Sequence, residues 1–273
     1  MNNNQEPQQP INYRQPAVAG QFYSANPEEL KENVLQFIQA AQPVSDKIPK
    51  ALIIPHAGYI YSGPIAASAY VTILALKSKI KRVILLGPAH RVYINGLAYS
   101  SATHFLTPLG RVKIDREAIA AISGLHQVIL SDQAHAQEHS LEVHLPFLQT
   151  VLEDFSLVPL VVGDASPQEV AEVLAILWGG DETLIVISSD LSHYHDYETA
   201  CKLDKNTTQS IENFNYQDIK SQNACGCRPI CGLLHIAKEK NLSVNTLDLR
   251  NSGDTAGTRD RVVGYGAYGF YNN

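Results

Sequence analysis

The chain has 273 residues, 45% of them hydrophobic and 18% charged, with a formal net charge of −6. That length and balance suit an ordinary globular α/β protein and exclude a disordered or collagen-like chain. The acidic balance and the lack of a basic cluster argue against nucleic acid as a partner. No apolar run reaches the length of a membrane span, and the polar start "MNNNQEPQQP" has neither the basic end nor the apolar stretch of a secretory signal. The expected compartment is therefore the cytoplasm. Residues 1–14 read as a disordered tail and residues 15–273 as one domain.

In chain order, Asn26 is an expected N-cap and Pro27 the first residue of a helix with Leu30, Val34 and Phe37 on one face. "KALIIPH" reads as a buried strand, "GPIAASAYVTILALKSK" as a helix and "RVILLGPAH" as a second buried strand. "YSSATHFLTPLGRVKID" reads as a hairpin turning at Thr107 to Gly110. "EHSLEVHLPFLQTVL" reads as a helix kinked at Pro146. "FSLVPLVVG" and "ETLIVISSD" add two more apolar strands, with a helix between them capped by Ser166 and ended at Gly179. Residues from about Tyr197 to Lys240 are largely helical, and two strands close the chain. Strands that are apolar throughout, alternating with helices, predict a mainly parallel or mixed central sheet covered by helices on both faces.

Chemistry gathers at the strand ends. "LIIP" leads to His56, "VILLGPA" to His90, "LVVG" to Asp164 and "LIVISS" to Asp190 and His193. Parallel strands present their carboxyl ends on one edge, where ligands bind in open α/β sheets. These side chains are therefore expected to converge, although His56 and His193 are far apart in the chain. Neutral imidazoles are common transition-metal ligands, so His56 and His90 are candidate ligands rather than mere strand-end hydrogen-bonding groups. Gly58 and Gly63 are expected to serve a tight turn or a close approach there. Asp190 is placed to orient His193, the arrangement a general base needs; the alternative is an aspartate that caps the turn.

His139 and Glu142 share a helical face in this reading, with His144 nearer the opposite side. They can serve as supporting or substrate-contacting groups, or simply belong to a capped helix. The serines near Asp190 lack the glycine-flanked elbow of a serine hydrolase. Among four cysteines, Cys225 lies just before a helix that contains Pro229. There the helix dipole and Arg228 would favour its thiolate. Cys231 reads as a small buried hydrophobe, while Cys227 fits no standard zinc spacing.

The segments "AVAGQFYSANPEEL", "IIPHAGYIYSG", "ILLGPAH", "TPLGRVKID", "EHSLEVHLPF", "VISSDLSHY" and "ACGCRPI" together resemble the Memo family, also called AmmeMemoRadiSam system protein B. The resemblance implies a fold like that of the class III extradiol dioxygenases (LigB-like), which are non-haem iron enzymes. It implies a pocket metal, most naturally iron, with copper or zinc as alternatives. The implied ligands are His56, His90 and Cys225. Asp190 and His193 would line the same pocket, His193 as acid/base, with Phe22 and Tyr61 as aromatic rim. A thiolate in place of the usual carboxylate separates this set from the dioxygenase triad, so ring cleavage does not follow from the fold. Three functional readings arise: an iron-dependent redox protein or oxidoreductase, a binding module for a peptide, small ligand or partner protein, and a zinc-dependent hydrolase. The family name also points to radical-SAM and AMMECR-type partner proteins.

Overall fold

The computed structural model describes residues 12–43 and 47–273. Among them the strands are β1 (Tyr13–Arg14), β2 (Ala51–Ile54), β3 (Arg82–Pro88), β4 (Leu97–Tyr99), β5 (His104–Thr107), β6 (Gly110–Ile114), β7 (Val128–Leu130), β8 (Ser156–Val162), β9 (Thr183–Ser188), β10 (His193–His195), β11 (Leu242–Asn251) and β12 (Val262–Asn272). The α-helices are α1 (Pro27–Ala40), α2 (Tyr59–Tyr70), α3 (Arg116–Ile122), α4 (Asp132–Ala136), α5 (Leu145–Val151), α6 (Pro167–Leu177), α7 (Tyr197–Glu212) and α8 (Cys227–Glu239).

The sheet runs β1-β5-β6-β8-β3-β9-β2-β12-β10. Its centre, β8-β3-β9-β2, is parallel throughout, and these are the four apolar strands of the sequence. β12 joins β2 antiparallel and also pairs antiparallel with β11 and β10, which makes the sheet mixed. Helices flank the sheet: α8 packs against β3 and β9 with α6 alongside it, and α2 packs on β2 and β12 with α1 and α5 over it. The register sets Ile54 opposite Ser188, and Leu86 opposite Ile187. The carboxyl ends of β2, β3 and β9 therefore lie side by side, as parallel pairing demands.

Local chemistry explains the element limits. Asn26 accepts from the Glu29 amide at 3.0 Å, and Pro27 opens α1. Ser166 and Glu169 form a reciprocal capping box on α6, and Gly179 takes a φ of +58° just beyond the helix. Thr107 pairs with Gly110 across the expected hairpin. Glycine alternates with aromatics in β12 because Gly266 and Gly269 leave room for the rings of Tyr268 and Tyr271, which lie along the strand.

Several expectations are corrected. Residues 1–11 lie outside the described residues, but Tyr13 and Arg14, assigned to the tail, pair parallel with β5. α2 begins at Tyr59, four residues before Gly63, and continues to Leu76 as a 3-10 helix. That run, Tyr59–Leu76, has 18 residues and a mean hydropathy of 1.4, so by length and composition it could cross a membrane. It is 61% buried within the protein, and packing accounts for its apolar character. Gly58 has a negative φ, and a Cβ there would meet the Phe22 backbone at an ordinary contact distance of 3.6 Å, so no tight turn requires glycine. Gly63 lies within α2 and makes space for the Phe37 ring of α1. Pro146 does not kink a long helix: residues 138–141 are non-helical, Glu142–His144 form a 3-10 turn, and Pro146 stands in the first turn of α5.

Candidate metal centre

The aligned strand ends open into a cavity of about 830 Å3 whose lining includes His56, His90, His139, Asp190 and His193, with Phe22 and Tyr61 among its aromatic groups. Within it, His56, His90 and His139 each offer one ring nitrogen, and the three atoms lie within 4.8 Å of one another. This is a candidate three-histidine metal cluster. The Phe22 ring packs on His139 at 4.8 Å, and its carbonyl accepts from the Tyr59 amide at 2.8 Å, which ties the rim to the start of α2.

Hydrogen bonds fix which nitrogen each ring can offer. Ser188 Oγ donates to the Ser140 carbonyl at 2.6 Å. Its lone pairs then accept from His56 Nδ1 at 2.6 Å and His144 Nε2 at 2.9 Å. Tyr70 Oη donates to His144 Nδ1 at 2.9 Å. One hydroxyl can donate only once, so this chain assigns the proton of His56 to Nδ1 and leaves Nε2 as its open ligand atom. Glu138 does the same for His90: it accepts from Nδ1 at 2.9 Å and from the His90 amide at 2.6 Å. A carboxylate behind a ligating imidazole is the usual support of a metal site. Burial opposes the charge of Glu138, but its bonds to the His90 ring and amide and to the Ser140 amide hold its carboxyl down at about 2.

The cluster suits a cation. Burial, and then the neighbouring imidazoles, push His56 well below its ordinary range, and burial takes His139 down to about 4. Both rings are therefore neutral and able to ligate near pH 7. His139 Nδ1 is buried with no hydrogen-bond partner; it lies 3.5 Å from Glu138 Oε1, in ion-pair range but without hydrogen-bond geometry. An orphaned buried ring nitrogen is a group that a bound metal would satisfy.

Cys225 stands beside this group rather than within it. Its Sγ lies 3.4 Å from His56 Nε2 and accepts from the Asp190 amide at 3.3 Å. Ligands about 2.1 and 2.3 Å from one tetrahedral metal sit roughly 3.6 Å apart, so the spacing fits a shared ion. Gly226 permits this approach, because a Cβ there would come within 2.6 Å of Ser189 Cβ. The sequence argument for a thiolate is corrected for the metal-free protein: burial, and then the Asp190 charge, push the Cys225 thiol up. Arg228 is engaged elsewhere, with Asp164 at 2.7 Å.

Asp190 does not orient His193. Its Oδ1 accepts from the His56 amide at 2.7 Å, whereas His193 Nδ1 donates to the Leu191 carbonyl at 2.8 Å. His193 Nε2 is left available for proton transfer. Burial raises the Asp190 carboxyl to about 6. Glu142 and His144 do not line the cavity: His144 is buried behind Ser188, and Glu142 accepts from Arg14, from the Ala17 and Val18 amides and from Tyr23. Asp164 faces a separate hollow shared with Cys225 and Arg228. Sequence reading missed Glu138, Ser188 and Tyr70 as supports, although Glu138 stands directly before His139 in the chain.

The buried imidazoles predict acid sensitivity of the metal-free protein. Burial holds His135 and His139 at about 4 and His144 at about 3, against 6.5 when exposed. Between pH 6.5 and about 4 the unfolded chain binds more protons, so stability falls as pH falls, on the order of 2 kcal/mol per imidazole at pH 5. Asp190 acts the other way, because its raised carboxyl takes up its proton in the folded state first, and it offsets only part. A urea midpoint clearly lower at pH 5 than at pH 7 is expected; an unchanged midpoint contradicts neutral burial of these rings.

A family model for Memo-like proteins matches residues 14–268. A MEMO1 family protein of Saccharolobus solfataricus is 37% identical, with 92% of this chain and 97% of that protein covered. Another from Sulfolobus acidocaldarius is 36% identical over the same shares. Among solved structures, an uncharacterized protein, JW3007 from Escherichia coli K12, is similar in fold, with a TM-score of 0.50 and 13% identity over 80% of this chain and 99% of that one. Motifs, cavity and near-complete coverage agree, and the chain belongs to the Memo family.

Proposed function

We propose that the protein is a metal-dependent redox protein in which His56, His90 and Cys225 hold one non-haem iron. The observation that carries this reading is the pair of imidazoles whose Nδ1 atoms are occupied by Ser188 and Glu138, with Cys225 Sγ 3.4 Å from His56 Nε2. A bound iron would supply one-electron chemistry and Lewis acidity at the floor of the cavity. The thiolate favours iron, copper or zinc over magnesium or calcium, and is itself open to oxidation. His193, held by the Leu191 carbonyl, takes or gives a proton at Nε2 for a substrate in the cavity. Asp190 anchors the His56 amide and adds a buried carboxyl beside the same space. The rings of Phe22 and Tyr61 line the same cavity.

A second reading exchanges the third ligand. His139 closes the three-nitrogen group within 4.8 Å and carries the orphaned Nδ1, which favours His56, His90 and His139. The redox claim is tested by loading the protein with Fe(II) without air, admitting oxygen and then adding dithionite, followed by electron paramagnetic resonance. Reversible appearance and loss of a protein-bound ferric signal is expected. Iron that stays ferrous in oxygen, or leaves the protein on oxidation, contradicts a redox role.

A further inference from the structure

Behind the histidine cluster lies a buried phenol, Tyr70, at the end of α2 and 0% exposed. It donates to His144 Nδ1 at 2.9 Å, His144 Nε2 donates to Ser188 Oγ at 2.9 Å, and Ser188 Oγ also accepts from His56 Nδ1 at 2.6 Å. Three hydrogen bonds thus join the phenol to a candidate metal ligand. Other tyrosine hydroxyls have ordinary oxygen partners: Glu142 for Tyr23, the Val143 carbonyl for Tyr59, Asp254 for Tyr197 and Thr208 for Tyr268. Among the described residues Tyr70 alone donates to an imidazole, and the nitrogen it meets carries no proton of its own. With no surface in contact with solvent, Tyr70 ends the chain, so these bonds cannot carry protons between water and the cluster. They can move one proton locally, from the phenol to His144. On the far side of Tyr70 the Phe147 ring stacks with centroids 5.0 Å apart, and the Tyr59 ring lies 5.1 Å beyond Phe147. A radical formed on Tyr70 would therefore sit in a dry aromatic environment.

We propose that Tyr70 is a redox-active tyrosine: it gives one electron to a peroxide consumed at the histidine cluster, while its phenolic proton passes to His144 Nδ1. The proposal rests on the redox reading of the metal site. With hydrogen peroxide the electrons balance, one from a ferrous iron and one from Tyr70. The O–O bond breaks, two protons from solvent complete two water molecules, and ferric iron remains. Tyr70 is left as a neutral phenoxyl radical beside a protonated His144. Burial pushes the intact phenol well above its ordinary range, so Tyr70 cannot ionise first and must lose proton and electron together. That requires a base already at hydrogen-bond distance, which is His144. Burial holds His144 down at about 3, but an oxidised phenol is a strong acid, so the transfer still runs toward the imidazole.

The test is electron paramagnetic resonance on the full chain, loaded with Fe(II) without air, mixed with hydrogen peroxide and frozen at once. A radical signal is expected, and ring-deuterated tyrosine should narrow it, which identifies it as tyrosyl. Tyr70→Phe removes one hydroxyl and keeps the ring; it should abolish the signal while the protein stays folded and keeps its iron. Tyr61→Phe, at a tyrosine that lines the cavity itself, should leave the signal in place. Absence of any tyrosyl signal, or a signal that survives Tyr70→Phe, overturns the proposal. Should Tyr70→Phe fail to fold or to take up iron, the wild-type spectrum at high field decides. A phenoxyl oxygen with one hydrogen bond of fixed geometry supports the Tyr70–His144 pair, and an unbonded oxygen, or the spread of environments that cavity water gives, overturns it. Iron uptake and its conversion to the ferric state are measured on the same samples. Iron that is bound and oxidised without a tyrosyl radical refutes this inference alone, whereas iron that is not bound, or stays ferrous in peroxide, refutes the redox reading and this inference with it.

Discussion

Replacement of His56 by alanine is expected to abolish metal binding while leaving the protein folded. His56 is 2% exposed, and its ring touches the fold through a hydrogen bond to Ser188, the 3.4 Å approach of Cys225 Sγ to Nε2 and one edge-on contact with each of His90 and His139. Ser188 keeps His144 and the Ser140 carbonyl when the ring is gone, so no charge is stranded. Loss of a buried hydrogen-bonded ring of this kind costs about 1–3 kcal/mol. A chain of this size would melt only several degrees lower, at roughly 2–4 °C per kcal/mol. His56 is common to both candidate ligand sets, however, and its loss should lower iron affinity by more than about 100-fold, since supporting groups alone are worth about 10–100-fold. A chelator-competition titration and a melting curve on the same sample check both parts. Normal metal affinity together with a collapse of stability would make His56 a structural residue.

Replacement of Glu142 by alanine should do the reverse. Its carboxylate is fully buried and accepts from Arg14, from the Ala17 amide at 2.7 Å, the Val18 amide at 3.0 Å and Tyr23 Oη at 2.5 Å. Burial, and then the Glu142 charge and hydrogen bond, raise the Tyr23 phenol, so it stays a donor. Arg14 also donates to the carbonyls of His135, at 3.1 Å, and Glu138, at 2.6 Å. The pair thus clamps the N-terminal segment onto the stretch that carries Glu138 and His139. Removing the carboxylate strands a buried guanidinium, two amides and a phenol, at a cost of about 3–5 kcal/mol. A melting temperature lower by roughly 10 °C is the expected result. Joint replacement, Arg14→Met with Glu142→Leu, should recover part of the loss, because the uncompensated charge is gone. No recovery would show that the two amides and the phenol, rather than the stranded charge, carry the cost.

These two residues also show where the sequence was readable. His56 follows an unbroken apolar run, and parallel pairing sends every such run to the same edge. The convergence of His56, His90, Asp190 and His193 therefore follows from hydrophobic pattern and topology. Glu142 lies three residues after His139, and a helical spacing points both at one space. In the structure the chain from Glu138 to Leu141 is not helical, so His139 enters the cavity while Glu142 faces the opposite way, to Arg14. Arg14 itself was lost in a polar N-terminal stretch, because its partner lies 128 residues further on. Ser188 invited the question of a nucleophile, yet its position at the end of β9 makes it the hydroxyl that orders two buried imidazoles. Hydrogen-bond direction of that kind leaves no periodic trace in sequence.

Metal binding in this cavity is decided by metal analysis of the full chain purified without air or chelators, with Cys225→Ser and His139→Ala in parallel. One iron per chain in the wild type, lost in Cys225→Ser and retained in His139→Ala, is the expected result; the opposite pattern in the variants gives the third position to His139. Wild-type protein that contains no metal, and takes up none when Fe(II) is supplied, contradicts a metal centre at His56 and His90.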